Sequence, residues 1–144
     1  MDNVNVAIVG CGLIGQKRAN ALGGATLVVC ADLVLERAQA LAHTVGADAT
    51  NDWQSAVRRA DVDIVIVATT NNMLAEITRG AVEAGKHILV EKPAGRNTCE
   101  LDQVIQAAER AGVQVHVGFN HRYHPALLKA HELFDQGVLG EMMF

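Results

Sequence analysis

Apolar residues fall along this chain in short unbroken runs, each followed by a longer stretch in which they recur every three or four positions. The runs at 4–9, 25–31, 63–68, 87–90 and 113–119 have strand length and are rich in Val, Ile and Ala. Continuous apolar character of this length is expected of strands covered on both faces. A weaker run at 47–50 predicts a short edge strand. The intervening stretches at 13–22, 33–45, 73–84, 98–111 and 125–136 carry the helical period, as where Leu35, Ala38, Leu41 and Ala42 share one face. Gly46, Gly85, Gly112 and Gly137 stand where four of these helices should stop. Asp52 is placed to cap a brief helix reaching about residue 59, and Thr98 to cap the helix that follows. Strands alternating with helices imply right-handed crossovers and an α/β fold with a doubly wound, mostly parallel six-stranded sheet.

Composition sharpens this picture. Half of the 144 residues are apolar but only 3% are aromatic, so the core must be assembled from Ala, Val, Ile and Leu. The length fits one domain core of ordinary size. A net charge of −4 with no basic run argues against a nucleic-acid partner. Cys11, Cys30 and Cys99 show neither a disulfide framework nor metal-ligand spacing, which fits a reducing, cytoplasmic setting. The apolar runs are too short to cross a membrane, and the N-terminus opens into a strand without the profile of a signal peptide.

The first strand runs into Gly10-Cys11-Gly12-Leu13-Ile14-Gly15, a G-x-G-x-x-G with a strand before it and a helix after. In that setting Gly10 permits a tight turn, Gly12 lets the backbone approach a pyrophosphate, and Gly15 lets the helix pack on the strand. The helix N-terminus, with Leu13 and Ile14, offers unpaired N–H groups and partial positive charge to phosphates. The second strand ends at Asp32, 22 residues after Gly10. A carboxylate there can accept hydrogen bonds from both ribose hydroxyls of NAD and would repel the extra phosphate of NADP. The alternative for Asp32 is an N-cap for the next helix. A methyltransferase, which also joins a glycine-rich loop to an acid, remains a rival on these residues alone.

Three further groups lie at the carboxyl ends of strands, where ligands of doubly wound sheets bind. Glu91-Lys92-Pro93 follows the strand at 87–90; Lys92 there can polarise a hydroxyl or carbonyl or carry a proton, or it can be an ordinary solvated lysine. Thr69-Thr70-Asn71 follows the strand at 63–68 and could equally cap the next helix. The segment from Phe119 through Asn120, His121, Arg122, Tyr123 and His124 to Pro125 is dense in polar groups. His116, His121 and His124 are not expected to form a metal site, because no carboxylate ligand lies near them in the sequence and His116 sits within a strand.

Taken together, these residues resemble the Gfo/Idh/MocA oxidoreductases over the whole chain. The glycine loop is common to many families. The more specific part is the run from Ala84 through Gly85, Lys86, His87, Ile88, Leu89, Val90 and Glu91 to Lys92-Pro93, placed before the Arg122-Tyr123-His124-Pro125 segment. The resemblance implies an NAD-binding Rossmann domain over 1–123, with 124–144 as a connecting helix and the start of a substrate domain. It implies that Lys92 stands between nicotinamide and substrate, that Asp32 binds the adenosine ribose, and that Arg37 lies near the adenine. It also implies that Thr69, Asn71 and Glu91 line the cofactor groove and that Arg122 lies near the nicotinamide. The implied activity is transfer of a hydride between nicotinamide and a hydroxyl-bearing carbon of a sugar, cyclitol or sugar derivative. An NAD(H)-sensing module is the other reading, although sensing would not need Lys92. Two departures stand out: Thr70 replaces a usual proline, and Leu74 replaces a usual histidine.

The resemblance also implies a C-terminal α/β domain that carries the substrate pocket and the sheet that builds homo-oligomers, and this domain is expected to be missing from the 144 residues. Gly137-Val138-Leu139-Gly140-Glu141 resembles the entry into it. Val138, Leu139, Met142, Met143 and Phe144 are therefore expected to lack their sheet, and to be either disordered or buried against another copy.

Overall fold

A computed structural model describes residues 4–141. The chain runs β1 (Asn5–Val9), α1 (Leu13–Ala19), β2 (Thr26–Ala31), α2 (Leu35–His43), β3 (Asp48–Thr50), α3 (Trp53–Val57), β4 (Ile64–Val67), α4 (Leu74–Glu83), β5 (His87–Val90), α5 (Thr98–Ala111), β6 (Val115–Val117), a 3₁₀ turn (Asn120–Tyr123) and α6 (Pro125–Asp135). The strands form one sheet in the order β3-β2-β1-β4-β5-β6, with every neighbouring pair parallel. From β1 the chain builds outward to β3, then crosses back to lay β4 on the other side of β1. The order reverses there, and the crevice at that switch point is where such sheets take their ligands.

Alternation along the central strands divides the core into two layers. Ala7, Val9, Val65 and Val67 pack against α3, α4 and α5 through Val57, Leu74, Ile77, Ala81 and Ala107. Val6, Ile8 and Ile66 pack on the other side against Ala38, Leu41 and Ala42 of α2. Leu27 and Cys30 are three positions apart yet both join the α2 side. The β1–β2 pairing skips Val28, matching Val6 with Leu27 and Ala7 with Val29, and that irregularity restores the facing. Each fully buried Val or Ile contributes roughly 1.5–3 kcal/mol relative to exposure.

All six strands lie where the runs predict them, and the differences are at element ends. α1 stops at Ala19 rather than near 22, just before Gly23 and Gly24. α2 begins at Leu35 because Asp32 Oδ1 accepts the Val34 N–H at 2.9 Å and holds 32–34 out of the helix. Asp52 caps α3 as expected, accepting from Gln54 N at 2.9 Å. The cap of α5 is Asn97, not Thr98: its Oδ1 accepts the Glu100 N–H at 3.0 Å, and Thr98 is already helical. β6 is only three residues long, because Phe119 N bonds back to Val117 O and turns the chain away. α6 buries no residue, and Leu127, Leu128 and Phe134 on it are exposed. Val138 and Leu139 are also exposed, in the turn after α6. Met142, Met143 and Phe144 lie outside the described residues.

Candidate functional site

At the switch point a groove of about 390 Å³ opens along the carboxyl ends of β1, β2 and β4. Its rim includes Gly10, Gly12, Leu13 and Ile14 from the glycine loop, and Asp32, Leu33 and Arg37 after β2. Ala68, Thr69 and Thr70 line it after β4, and Asn51, Trp53, Met73 and Ile77 complete its wall.

The three loop glycines have different reasons to be glycine. Gly10 has φ +97°, and a Cβ on it would stand 2.4 Å from the Ala68 carbonyl oxygen, so the close approach of β1 to the β4 end demands it. A Cβ on Gly15 would fall 2.0 Å from Gly10 O, so α1 could not seat on the loop. Gly12 has an ordinary extended backbone, with φ −71° and ψ −166°, and a Cβ there would meet no protein atom within 4 Å. Nothing inside the chain accounts for a glycine at 12, whereas close approach of an external group does. No side chain caps α1, which leaves its first N–H groups available beside that open space.

Asp32 is pinned from both sides: Oδ2 accepts the Cys11 N–H at 2.8 Å and Oδ1 the Val34 N–H at 2.9 Å. The N-cap of α2 is Val34, so Asp32 is not the capping residue that the alternative reading required. Each carboxylate oxygen retains a further acceptor position, and the residue lines the groove. Thr69 also lines it, with a buried Oγ1 that has no hydrogen-bond partner. Such an orphaned hydroxyl costs free energy until a bound group or a water satisfies it. Cys11, though inside the loop, is fully buried, and its Sγ donates to Ala31 O at 3.4 Å. Its hydrogen bond with Cys30, together with burial, pushes its thiol up into the neutral form, so it is not a nucleophile here.

Gly15, Asn71, Glu91, Lys92 and Arg122 are not among the residues that line this cavity. Asn71 is exposed beyond the rim. Lys92 is exposed in the turn after β5, where Glu91 N bonds to Val67 O and Ala94 N to Glu91 O. The Lys92–Pro93 peptide in that turn is cis. Arg122 is exposed in the 3₁₀ turn. Glu91 faces Arg18 of α1 instead: Arg18 Nε donates to Glu91 Oε1 at 2.6 Å, and Arg18 Nη2 touches the same oxygen. Leu74 is fully buried in α4, so the residue at this position serves the core rather than the groove. His124 is the N-cap of α6, its Nδ1 accepting from Ala126 N at 3.3 Å. Arg18, Asn51, Trp53 and Met73 escaped the sequence reading. Asn51 had a signal, since it follows β3 as Thr69 follows β4.

Comparison with known proteins agrees with this geometry. The family model of the Gfo/Idh/MocA oxidoreductases, described as an oxidoreductase family with an NAD-binding Rossmann fold, matches residues 4–119. The chain belongs to this family. A levoglucosan dehydrogenase of Pseudarthrobacter phenanthrenivorans is 31% identical over 155 residues, spanning 99% of this chain and 40% of that protein. Inositol 2-dehydrogenase 3 of Saccharopolyspora erythraea is 33% identical over 142 residues, spanning 95% of this chain and 42% of that protein. The crystal structure of GenD2 from gentamicin A biosynthesis, in complex with NAD, superimposes with a TM-score of 0.88 at 32% identity, covering 92% of this chain and 39% of that one. This family member is therefore an NAD-binding Rossmann domain spanning about two fifths of the length of those relatives. Membership removes the methyltransferase alternative. Among the described residues, no helix is long and apolar enough to cross a membrane.

Proposed function

We propose that this chain is the nucleotide-binding part of an NAD-dependent dehydrogenase acting on a hydroxyl-bearing carbon of a sugar, cyclitol or sugar derivative. The observation that carries the reading is Gly12, where a Cβ would meet no protein atom within 4 Å, bordering a groove whose other rim presents the fixed carboxylate of Asp32. In this reading the backbone at Gly12, Leu13 and Ile14 approaches the pyrophosphate. Asp32 accepts hydrogen bonds from the ribose hydroxyls, Thr69 Oγ1 gains the partner it lacks, and Arg37 lies over the adenine end. Bound NAD supplies the hydride acceptor at nicotinamide C4. Lys92, in the turn after β5, polarises the reacting oxygen through its ammonium group. Asn71 and Arg122 border the nicotinamide end. Residues 124–144 lead to a substrate domain whose sheet supports a homo-oligomer, and the enzyme works in the cytoplasm.

The dehydrogenase names of the relatives support the reaction class. The lysine after β5 favours an enzyme over an NAD(H)-sensing module, which needs no such group. Titration with NADH, followed by the nucleotide's fluorescence, is expected to saturate at one site per chain, while S-adenosylmethionine neither binds nor competes. Absence of NADH binding by a folded chain would end the proposal.

A further inference from the structure

The helix that follows the glycine loop and the turn that carries Lys92 are distant in the chain, and one side chain links them. Arg18 lies on α1, the helix that begins at the glycine loop. Its Nε donates to Glu91 Oε1 at 2.6 Å, next in the chain to Lys92, and its Nη2 donates to Asn120 Oδ1 at 2.8 Å, two residues from Arg122. The partners lie 73 and 102 positions away in the chain. Gly118 makes room for the contact: a Cβ on it would stand 2.7 Å from Arg18 Nη2. Side-chain exposure is 18% for Arg18 and 12% for Glu91, so water screens this pair far less than an ordinary surface pair.

We propose that Arg18 is a positioning residue, tying the turn that carries Lys92 and the turn that carries Arg122 to the helix that starts at the glycine loop. A guanidinium is planar, and its donors are fixed relative to one another. Holding Glu91 through Nε and Asn120 through Nη2 therefore sets the two turns against each other as well as against α1. β5 and the turn's own bonds fix its base, through Glu91 N to Val67 O and the buried Ala94, but the last ladder bond precedes Lys92, and Lys92 and Pro93 are exposed. For catalysis the consequence is geometric, since misplacing a reacting group by about 1 Å can cost about 10²-fold in rate. The catalytic half of this inference rests on the NAD reading above; the structural half does not.

The test uses hydrogen exchange by mass spectrometry on this chain, followed by ligand binding. Arg18→Met keeps the aliphatic stem and removes the fork. Exchange over 91–96 and 118–124 is expected to quicken about tenfold, as local opening loses a charge-assisted bond, while β1 and β4 stay unchanged. Arg18→Lys has a single ammonium that keeps the ion pair with Glu91, so it is expected to restore 91–96 but not 118–124. NADH should bind Arg18→Met about tenfold more weakly, with ADP-ribose, which lacks the nicotinamide, changed by less than about twofold.

Unchanged exchange in both turns overturns the proposal. So does a uniform rise through the core strands, which would make Arg18 a general stabiliser, and so does equal weakening of NADH and ADP-ribose. If Arg18→Met does not fold because Glu91 is left half-buried and unpaired, Asn120→Ala keeps the ion pair and must loosen 118–124 alone; failure to do so is equally fatal. A wild-type chain that binds no NADH removes the catalytic half and the NAD reading together, and the exchange data distinguish that result from failure of the structural half.

Discussion

Replacing Gly12 with valine separates the role of the loop in folding from its role in binding. The backbone at 12 lies at φ −71° and ψ −166°, where any L-residue is comfortable, and a Cβ would meet no protein atom within 4 Å. Stability should therefore change little, because the roughly 0.4–1 kcal/mol gained by restricting the unfolded chain is offset by the similar cost of an aliphatic residue at the N-cap of α1. Binding should suffer heavily. The isopropyl group would fill the space that a pyrophosphate needs in order to reach the loop N–H groups. Losing two hydrogen bonds to a charged phosphate, at the low end of about 1.5–3 kcal/mol each, removes about 3 kcal/mol, or roughly 10²-fold in affinity. The neighbouring glycines are the controls. A side chain at Gly10 would enter the left-handed region and meet Ala68 O, and one at Gly15 would collide with Gly10 O, so both valine variants should lose the fold itself. Thermal unfolding by circular dichroism together with NADH fluorescence titration reads both effects. A folded Gly12→Val chain that binds NADH as tightly as the wild type would refute the assignment of this loop to phosphate. A collapse in its melting temperature would refute the claim that the position is sterically open.

Asp32 should favour NADH over NADPH, because its fixed carboxylate would face a 2′-phosphate and Leu33 offers no cation to offset the repulsion; comparison of the two dissociation constants decides this, and equal affinities or tighter NADPH would overturn the role given to Asp32. In a full-length protein with the activity proposed above, Lys92→Met should lower turnover by about 10²–10⁴-fold with NAD affinity nearly unchanged, which steady-state kinetics beside a binding titration will show. At the start of α5, side-chain and backbone hydrogen bonds from Arg96 hold the Glu100 carboxyl below its ordinary range. A carboxylate whose folded value is depressed stabilises the fold above its unfolded value, and that contribution is lost as pH falls through the folded value. Glu100→Gln should therefore melt below the wild type at neutral pH, and the gap should close in acid; a gap independent of pH would show that the charge is not the cause.

What could be read from the sequence was local. The alternation of strands and helices, the glycine loop, Asp32 at the end of the second strand and Lys92 after the fifth all depend on spacings within one βα unit, where backbone periodicity and turn chemistry act over a few residues. Element ends were less legible because neighbouring polar groups compete for them, as when Asn97 takes the cap of α5 from Thr98 and Asp32 delays the start of α2.

The tertiary structure decided which of three similar glycines is free to meet a ligand, since that depends on how near Ala68 O and Gly10 O approach, and no spacing encodes such a distance. It also decided that Glu91 pairs with Arg18. Its partner lies 73 residues earlier in the chain, and the two meet only because parallel pairing in the order β3-β2-β1-β4-β5-β6 brings the carboxyl ends of distant strands together at one edge. Long polar side chains choose their partners there by reach and burial, quantities that exist only once the sheet has formed.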